Sequence, residues 1–524
     1  MEEYGRGIAR LEEGNYSNYG TAERFLKYKG ENYHFCEDTG VWMEFDEKTN
    51  LWKEKTESQM IHIIKDIGKA VGADAINFIT FEGTPETDDE KKELKRQETA
   101  EKAARTYALK LEYKKYCLDS LYFCRGIKKG DICIPCKQDD FDSNPKYIAL
   151  KDGTVYDLTD RKVMDGGREY MMTKSLNGIV KDRVSEDFTK WITKMFPDEE
   201  VRLYMQKYFG SALLGFKLRN PDDKNAMFID SSMPDTGKSA LLTLMENALG
   251  DYYRTADYAI LVSKKKTDSD KASPSLAALR GCKFVGISEC PPGMVFDEAF
   301  FKKITGNDTM VTRDVFGRNF EFKPNFKLLL VSNNLPVPIN IDDQAFRKRF
   351  RRHTCSVSLS HMDDEILKKF YTQDFLDDFI TWLVEGCQKY QEAHRLDDYT
   401  GKDLMGSNLP VAMKRAMAEY FRENDDIGEF ISTWYVITKD KHDFVPLLEM
   451  WEVWQSHSYN RSVKQREFNK QVKDFFQKRI KLEFAKRPYV KTDPKTEEVI
   501  RTYGRGFIGL RLWTDADLLS KKEA

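Results

Sequence analysis

The sequence predicts an α/β fold with an α+β region before its core and a helical region after it. Three observations lead there. Between residues 196 and 357, short apolar runs of strand character alternate with helical periodicity, as in strands joined by helical crossovers. One apolar run, Ala226 to Ile229, leads directly into Ser232-Met-Pro-Asp-Thr-Gly-Lys-Ser239. Two later apolar runs end in polar residues, Glu289 and the amides Asn333 and Asn334.

A chain of 524 residues suggests roughly three domains. The boundaries read from the sequence are 1–195, 196–395 and 396–524. In the first part, Thr84 to Lys115 is dense in charge and reads as a solvated helix. Asp142-Ser-Asn-Pro145 is turn chemistry. Asp152-Gly153, between the apolar runs 147–150 and 155–158, signals a hairpin. A helical pattern begins near Glu200. In the second part, Leu241, Leu242, Met245 and Leu249 repeat at helical spacing after Lys238, and Gly250 is placed to end that helix. Residues 360–395 are helical in pattern. The third part holds more helices and then a basic segment ending in strands.

Ser232 to Ser239 reads as a phosphate-binding loop. In such a loop, backbone N–H groups at a helix N-terminus wrap phosphate, a lysine reaches the β/γ-phosphates and a hydroxyl ligates magnesium. Ser232, Pro234, Asp235, Thr236, Gly237, Lys238 and Ser239 are the candidate phosphate-loop residues, with Ser239 as the metal hydroxyl. Ser232 stands where the strict motif has its first glycine. Glu289 is placed where an ATPase holds the carboxylate that polarises water, and Asn333 where an amide can hold water or the γ-phosphate. Arg347, Arg349, Arg351 and Arg352 cluster beyond it, and an arginine reaching a neighbour's phosphate would supply transition-state charge. ATP and Mg2+ are the expected cofactors.

Hydrophobic residues make up 40% of the chain and charged residues 32%, which fits a globular chain with more than one core. No apolar run approaches the roughly 20 residues that span a bilayer. The charged N-terminus lacks a signal-peptide core, so a cytoplasmic compartment is expected, with no membrane partner. Nine cysteines in this length are not a disulfide framework. Cys117, Cys124, Cys133 and Cys136 are open to two readings, a metal site or small buried apolar side chains, and their irregular spacing favours the second. Net charge is −2, yet residues 461–513 carry 15 Lys/Arg against 6 Asp/Glu. Phe468, Val472 and Phe475 give a helix an apolar face there, and a basic hairpin follows. This is a winged-helix pattern in which Arg501, Arg505 and Arg511 would meet phosphates. A solvated basic face is the alternative.

The order of these motifs resembles superfamily 3 helicases, in particular the helicase part of the poxvirus-type and phage/plasmid primase–helicase family. The resemblance runs across most of the chain. Gly237, Lys238 and Ser239 match its Walker A motif, and Glu289 its Walker B acid, with Ser288 beside it as a second magnesium position. The segment 302–308 (KKITGND) through 313–318 (RDVFGR) is similar to the family's β-hairpin that enters a central channel. Asn333 matches sensor 1. Arg349 best matches the arginine finger, with Arg347 the runner-up. Residues 142–158 and 409–459 are similar to the flanking regions of the family. Asp140 and Asp142 could form a primase metal pair, but no histidine lies between His62 and His353, and a turn role is favoured. The resemblance implies an AAA+-like P-loop core and a C-terminal winged-helix region. It also implies a ring hexamer moving 3′-to-5′ on single-stranded and forked DNA, in replication of a phage, virus or mobile element, with a separate primase or polymerase as possible partner. Lys302, Arg313, Phe316 and Arg318 would touch DNA at the hairpin, with Phe316-Gly317-Arg318 at its tip. The alternative is an origin-binding initiation scaffold that hydrolyses ATP without processive unwinding.

Overall fold

The computed structural model describes residues 16–81, 83–130, 132–215, 224–262, 274–306, 308–313, 319–360, 364–394, 409–457, 463–492 and 499–514. The fold is mixed α/β around a parallel sheet.

The N-terminal part has its own apolar core, formed by helices Asn18–Lys29, Glu57–Asp74, Asp88–Lys110 and Lys114–Cys124 with residues of a small sheet. The charge-dense helix Asp88–Lys110 is almost wholly solvated, burying only Ala104 and Tyr107, and starts in a capping box between Thr87 and Glu90. Cys117 and Cys124 are buried, and Cys136 lies in a parallel strand opposite Cys36, with the sulfurs 3.7 Å apart. No cluster of three or more metal-ligating side chains occurs among the described residues. The predicted hairpin is present: Tyr147–Ala149 pairs with Val155–Asp157, and Lys162–Met164 adds a third strand. Asp140 accepts from the Lys137 backbone N–H at 2.7 Å and serves a local turn, whereas Asp142 accepts from that of Thr173 at 3.0 Å, 31 positions away, and ties two segments together. Helix α1 (Glu186–Met195) closes this region, with Phe188, Trp191, Ile192 and Met195 buried.

The central sheet has five parallel strands: β1 (Ala226–Asp230), β2 (Tyr253–Ala256), β3 (Phe284–Ser288), β4 (Lys327–Val331) and β5 (Phe350–Thr354). Their spatial order is β2-β3-β4-β1-β5. All five residues of β1 and of β4 are buried, as expected for a sheet covered on both faces. Alternate residues feed two different cores. Met227, Ile229, Leu329 and Val331 join one with helix α2 (Lys238–Leu249). Ala226, Phe228, Leu328 and Leu330 join the other, with Phe296, Phe301, Phe346 and Phe350. The first core is continuous across residue 195: it combines Ile148, Leu158, Trp191 and Tyr208 with the sheet and with the later long helix.

Further elements complete the body. Helix α3 (Glu298–Thr305) leads to an antiparallel pair, Met310–Arg313 with Asn319–Phe322. The short α4 (Gln344–Arg347) precedes β5, and α5 (Gln373–His394) packs on the first core. Helix α6 (Val411–Glu423) lays Tyr420 and Phe421 on the second. The C-terminal region has a core built on Phe430, Trp454, Phe468, Val472 and Phe507. Its helix α7 (Gln465–Phe475) is followed by the antiparallel strands Phe484–Thr492 and Val499–Ile508. The residues that join these two strands, 493–498, lie outside the described residues. Among the described residues, no helix is long and apolar enough to cross a membrane.

Candidate functional site

Strand register brings the candidate residues together. Ile229 of β1 and Ser288 of β3 both pair with Val331 of β4. The segments after these three strands therefore emerge side by side at one edge of the sheet, the carboxyl edge where open α/β sheets bind ligands. They carry the loop 231–237, Glu289 and Asn333.

The loop turns through two left-handed residues, Asp235 (φ 54°) and Gly237 (φ 81°). A side chain at Gly237 would also place Cβ 2.5 Å from Leu359 Cδ1, so glycine is required there by conformation and by space. Ser232 and Pro234 do not have positive φ. The positions that depart from the glycine-rich pattern are thus ones where this loop does not need glycine. Ser231, which the sequence did not single out, supports the turn: its Oγ accepts from the Met233 N–H at 2.9 Å and lies 3.1 Å from the Cys355 carbonyl. The Leu359 N–H donates to the Asp235 carbonyl at 2.7 Å, tying the loop to the chain after β5.

Thr236 is buried, and Lys238 Nζ donates to its Oγ1 at 3.0 Å. Lys238 and Ser239 open α2, whose first-turn N–H groups have no partner within the helix and favour an anion. Across the cleft, Ser288 and Glu289 are exposed at the end of β3. Glu289 adopts φ 60°, an uncommon backbone state for a residue with a side chain, and its N–H reaches the Val331 carbonyl at 3.2 Å. Ser332, also missed in the sequence, is buried and ties three segments. Its N–H donates to Ile229 O at 3.1 Å, and its Oγ accepts from the N–H groups of Cys290 at 2.9 Å and Asn334 at 3.2 Å. Asn333 between these bonds is exposed. The resulting cleft, about 580 Å³, is lined by Asp235 to Ser239, Ser288, Glu289 and Asn333, with Trp191, Leu359 and Tyr371 also in its wall. Such a volume is within the range of small-molecule sites. The hydroxyls of Ser239 and Ser288 and the carboxylate of Glu289 in this lining are hard oxygen donors of the kind magnesium takes.

The arginine cluster separates into different environments. Arg351 and Arg352 are buried in β5. Arg347 Nη1 donates to Ile341 O at 3.0 Å, and its guanidinium lies 4.1 Å from the centre of the Phe421 ring. Arg349 Nη1 donates to Ala345 O at 2.7 Å, while its Nε has no hydrogen-bond partner among the described residues. Burial lowers the pKa of both Arg347 and Arg349 from the usual arginine value. Neither lines the cleft.

Of the residues expected at DNA, Phe316 and Arg318 lie outside the described residues. Arg313 ends the first strand of its pair, opposite Asn319. Lys302, expected at a phosphate, instead has its ammonium on Asp343 Oδ2 at 2.6 Å. Burial would raise the Asp343 carboxyl, but Lys302 and the N–H groups of Phe346 and Ala345 hold it below its usual value. Arg501, Tyr503 and Arg505 alternate along one exposed face of their strand, opposite Val490, Pro488 and Lys486.

Residues 22–197 match the family described as D5 N terminal like. That match covers about a third of the chain. The last helix of the matched segment, α1, supplies Trp191 to the cleft, so this segment and the sheet share one site. The chain as a whole is similar to viral proteins named "putative helicase". One from Acanthamoeba polyphaga mimivirus is 22% identical, over 86% of this chain and 47% of that protein. Another from Invertebrate iridescent virus 3 is 24% identical, over 61% and 36%. A third, from Frog virus 3, is 30% identical, over 32% and 17%. The chain thus spans less than half the length of these relatives. A solved C-terminal region of NrS-1 aligns over 94% of this chain and 100% of that one, at 12% identity and a TM-score of 0.44.

Proposed function

We propose that the chain is an ATP-dependent DNA helicase of superfamily 3, with an AAA+-like P-loop core. The observation that carries this reading is the convergence of Lys238, Ser239, Glu289 and Asn333 on one cleft through strands that pair around Val331. The strand order β2-β3-β4-β1-β5 and the viral relatives support it.

In this reading Lys238 and the first-turn N–H groups of α2 hold the phosphates. Ser239 and Ser288 hold magnesium, which neutralises charge on the β- and γ-phosphate oxygens. Glu289, on its left-handed backbone, orients and deprotonates the attacking water. Asn333, fixed between two bonds to Ser332, reports the γ-phosphate. Arg349 completes the site of a neighbouring subunit in a hexameric ring. The helix α7 with its basic hairpin forms the winged-helix region, where Arg501, Tyr503 and Arg505 contact phosphates and bases. Movement is 3′-to-5′, by resemblance. The domains follow the three parts given above.

The test is ATP hydrolysis and fork unwinding by the full chain and two variants. Glu289→Gln is expected to lower turnover about 100-fold or more, the usual scale for losing a general base. Lys238→Ala is expected to lose both activities. Normal ATPase rates in either variant overturn the assignment. Hydrolysis by the unaltered protein without strand separation favours an initiation scaffold instead.

A further inference from the structure

The cleft has a feature that phosphate chemistry does not explain. Part of its wall is aromatic: Trp191, Phe370 and Tyr371 line it together with the phosphate loop. These rings form a braced series. Trp191 and Phe370 have centroids 5.6 Å apart, and Phe370 and Tyr371 5.3 Å apart. Phe375 packs on both of the inner rings, at 5.8 Å from Trp191 and 5.5 Å from Phe370. Trp191 and Phe370 are buried, whereas Tyr371 is 77% exposed. A single exposed aromatic needs no explanation by itself. This one is fixed at the mouth of a cleft whose opposite residues suit a triphosphate, and it leaves a ring open to a flat partner.

We infer that Tyr371 is the nucleobase-binding residue of this cleft and that the base is held by its ring face, with little reading of its edge. The inference rests on the nucleotide reading of the site given above. Beside this wall the cleft lining is mainly aromatic and aliphatic, with Ser360 Oγ accepting from Ser358 Oγ at 2.8 Å. Edge recognition needs donors and acceptors placed against the base, and leaving them unpaired is what rejects the wrong one. Stacking has no such requirement, because every base has a π-face. The substrate class is therefore nucleoside triphosphates generally, with ATP and GTP held within about tenfold of each other.

The experiment measures binding of ADP, GDP and inorganic tripolyphosphate, each with magnesium, to the full chain and to Tyr371→Ala, Tyr371→Phe and Lys238→Ala. Tyr371→Ala is expected to weaken ADP and GDP about tenfold or more, on the scale of a lost base–aromatic stack. It should leave tripolyphosphate unchanged, which also reports an intact fold, and Tyr371→Phe should retain all three affinities. Lys238→Ala should weaken all three ligands. Unchanged ADP binding in Tyr371→Ala overturns the inference, as does an equal loss of tripolyphosphate, or discrimination between ADP and GDP above about 100-fold in the unaltered protein, a ratio that requires edge contacts. If the unaltered protein binds none of the three, the nucleotide reading itself fails. If tripolyphosphate and ADP bind with Lys238 dependence but without Tyr371 dependence, only the base subsite fails.

Discussion

Arg352 and Asp230 form a buried ion pair between β5 and the end of β1, immediately before the loop 231–237. Nη2 donates to Oδ2 at 2.7 Å and Nε to Oδ1 at 3.2 Å. Thr354 Oγ1 donates to the same carboxylate at 3.0 Å, and Arg352 Nη1 reaches Ala416 O of α6 at 3.0 Å. The pair outweighs the effect of burial and raises the Arg352 pKa. One guanidinium thus joins the two strands and the helix behind the loop.

Removing one partner of such a pair leaves the other charge buried. Arg352→Ala is therefore expected to destabilise the fold by about 3–5 kcal/mol, the usual cost of breaking a buried pair. Arg352→Lys should lose less, since it keeps the charge but not the two-pronged geometry. Urea denaturation checks both. An Arg352→Ala protein that unfolds at the unaltered midpoint would show that the pair contributes nothing to the position of the loop.

Arg349 and Arg347 are two residues apart and are expected to behave differently. Arg347 is held within its own chain by Ile341 O and the Phe421 ring. Arg347→Ala should lose about 0.5–2 kcal/mol of stability, as for a partly desolvated cation–π contact. Arg349 Nε is buried without a hydrogen-bond partner among the described residues, and the side chain lies off the cleft of its own chain. If it serves a neighbour, Arg349→Ala should lose about 1,000-fold or more in ATP turnover, the scale of an arginine finger. Mixed with Lys238→Ala protein it should regain part of that activity, because one interface in the mixture then has both residues intact. ATPase assays across mixing ratios decide this. Activity that only averages the two variants would rule out a shared site, and complementation by Arg347→Ala in place of Arg349→Ala would exchange their roles.

β1, β3 and β4 were legible because each is a run of apolar residues broken sharply by a polar one, whereas β2 (YRTA) and β5 (FRRHT) have no such run. Helix α2 was legible because Leu241, Leu242, Met245 and Leu249 keep its period. What escaped was the second layer. Ser231 and Ser332 hold the loop and the amide strand, yet a serine after an apolar run has no signal that separates a turn support from a solvated end. The split among the arginines was hidden for another reason: it depends on alternation along β5 and on partners remote in sequence, Asp230 and Ala416 for Arg352 and Phe421 for Arg347. The same applies to Lys302, a basic residue whose partner Asp343, 41 positions later, caps the start of α4. Trp191 was invisible as a cleft residue, since its helix belongs to the preceding region and reaches the site only through the continuous core.

His353 on β5 provides a pH test of that core. The residue is partly exposed, but its Nε2 is enclosed and has no hydrogen-bond partner among the described residues. The ring lies 5.5 Å from that of Phe196. Burial pushes its pKa down to about 4, against smaller upward effects of Asp230 and Asp198. The unfolded chain binds this proton near pH 6.5, well before the folded one does. Stability from this residue is therefore complete above pH 6.5 and is lost as pH falls from 6.5 towards 4, by up to about 3 kcal/mol. His353→Leu removes the titrating group without leaving a bonded partner behind. Urea midpoints measured from pH 8 to pH 4.5 should show a shallower acid-side decline in the variant than in the unaltered protein. Parallel declines would mean that His353 is protonated in the folded state, and that the contact between β5 and the segment after α1 is open to water.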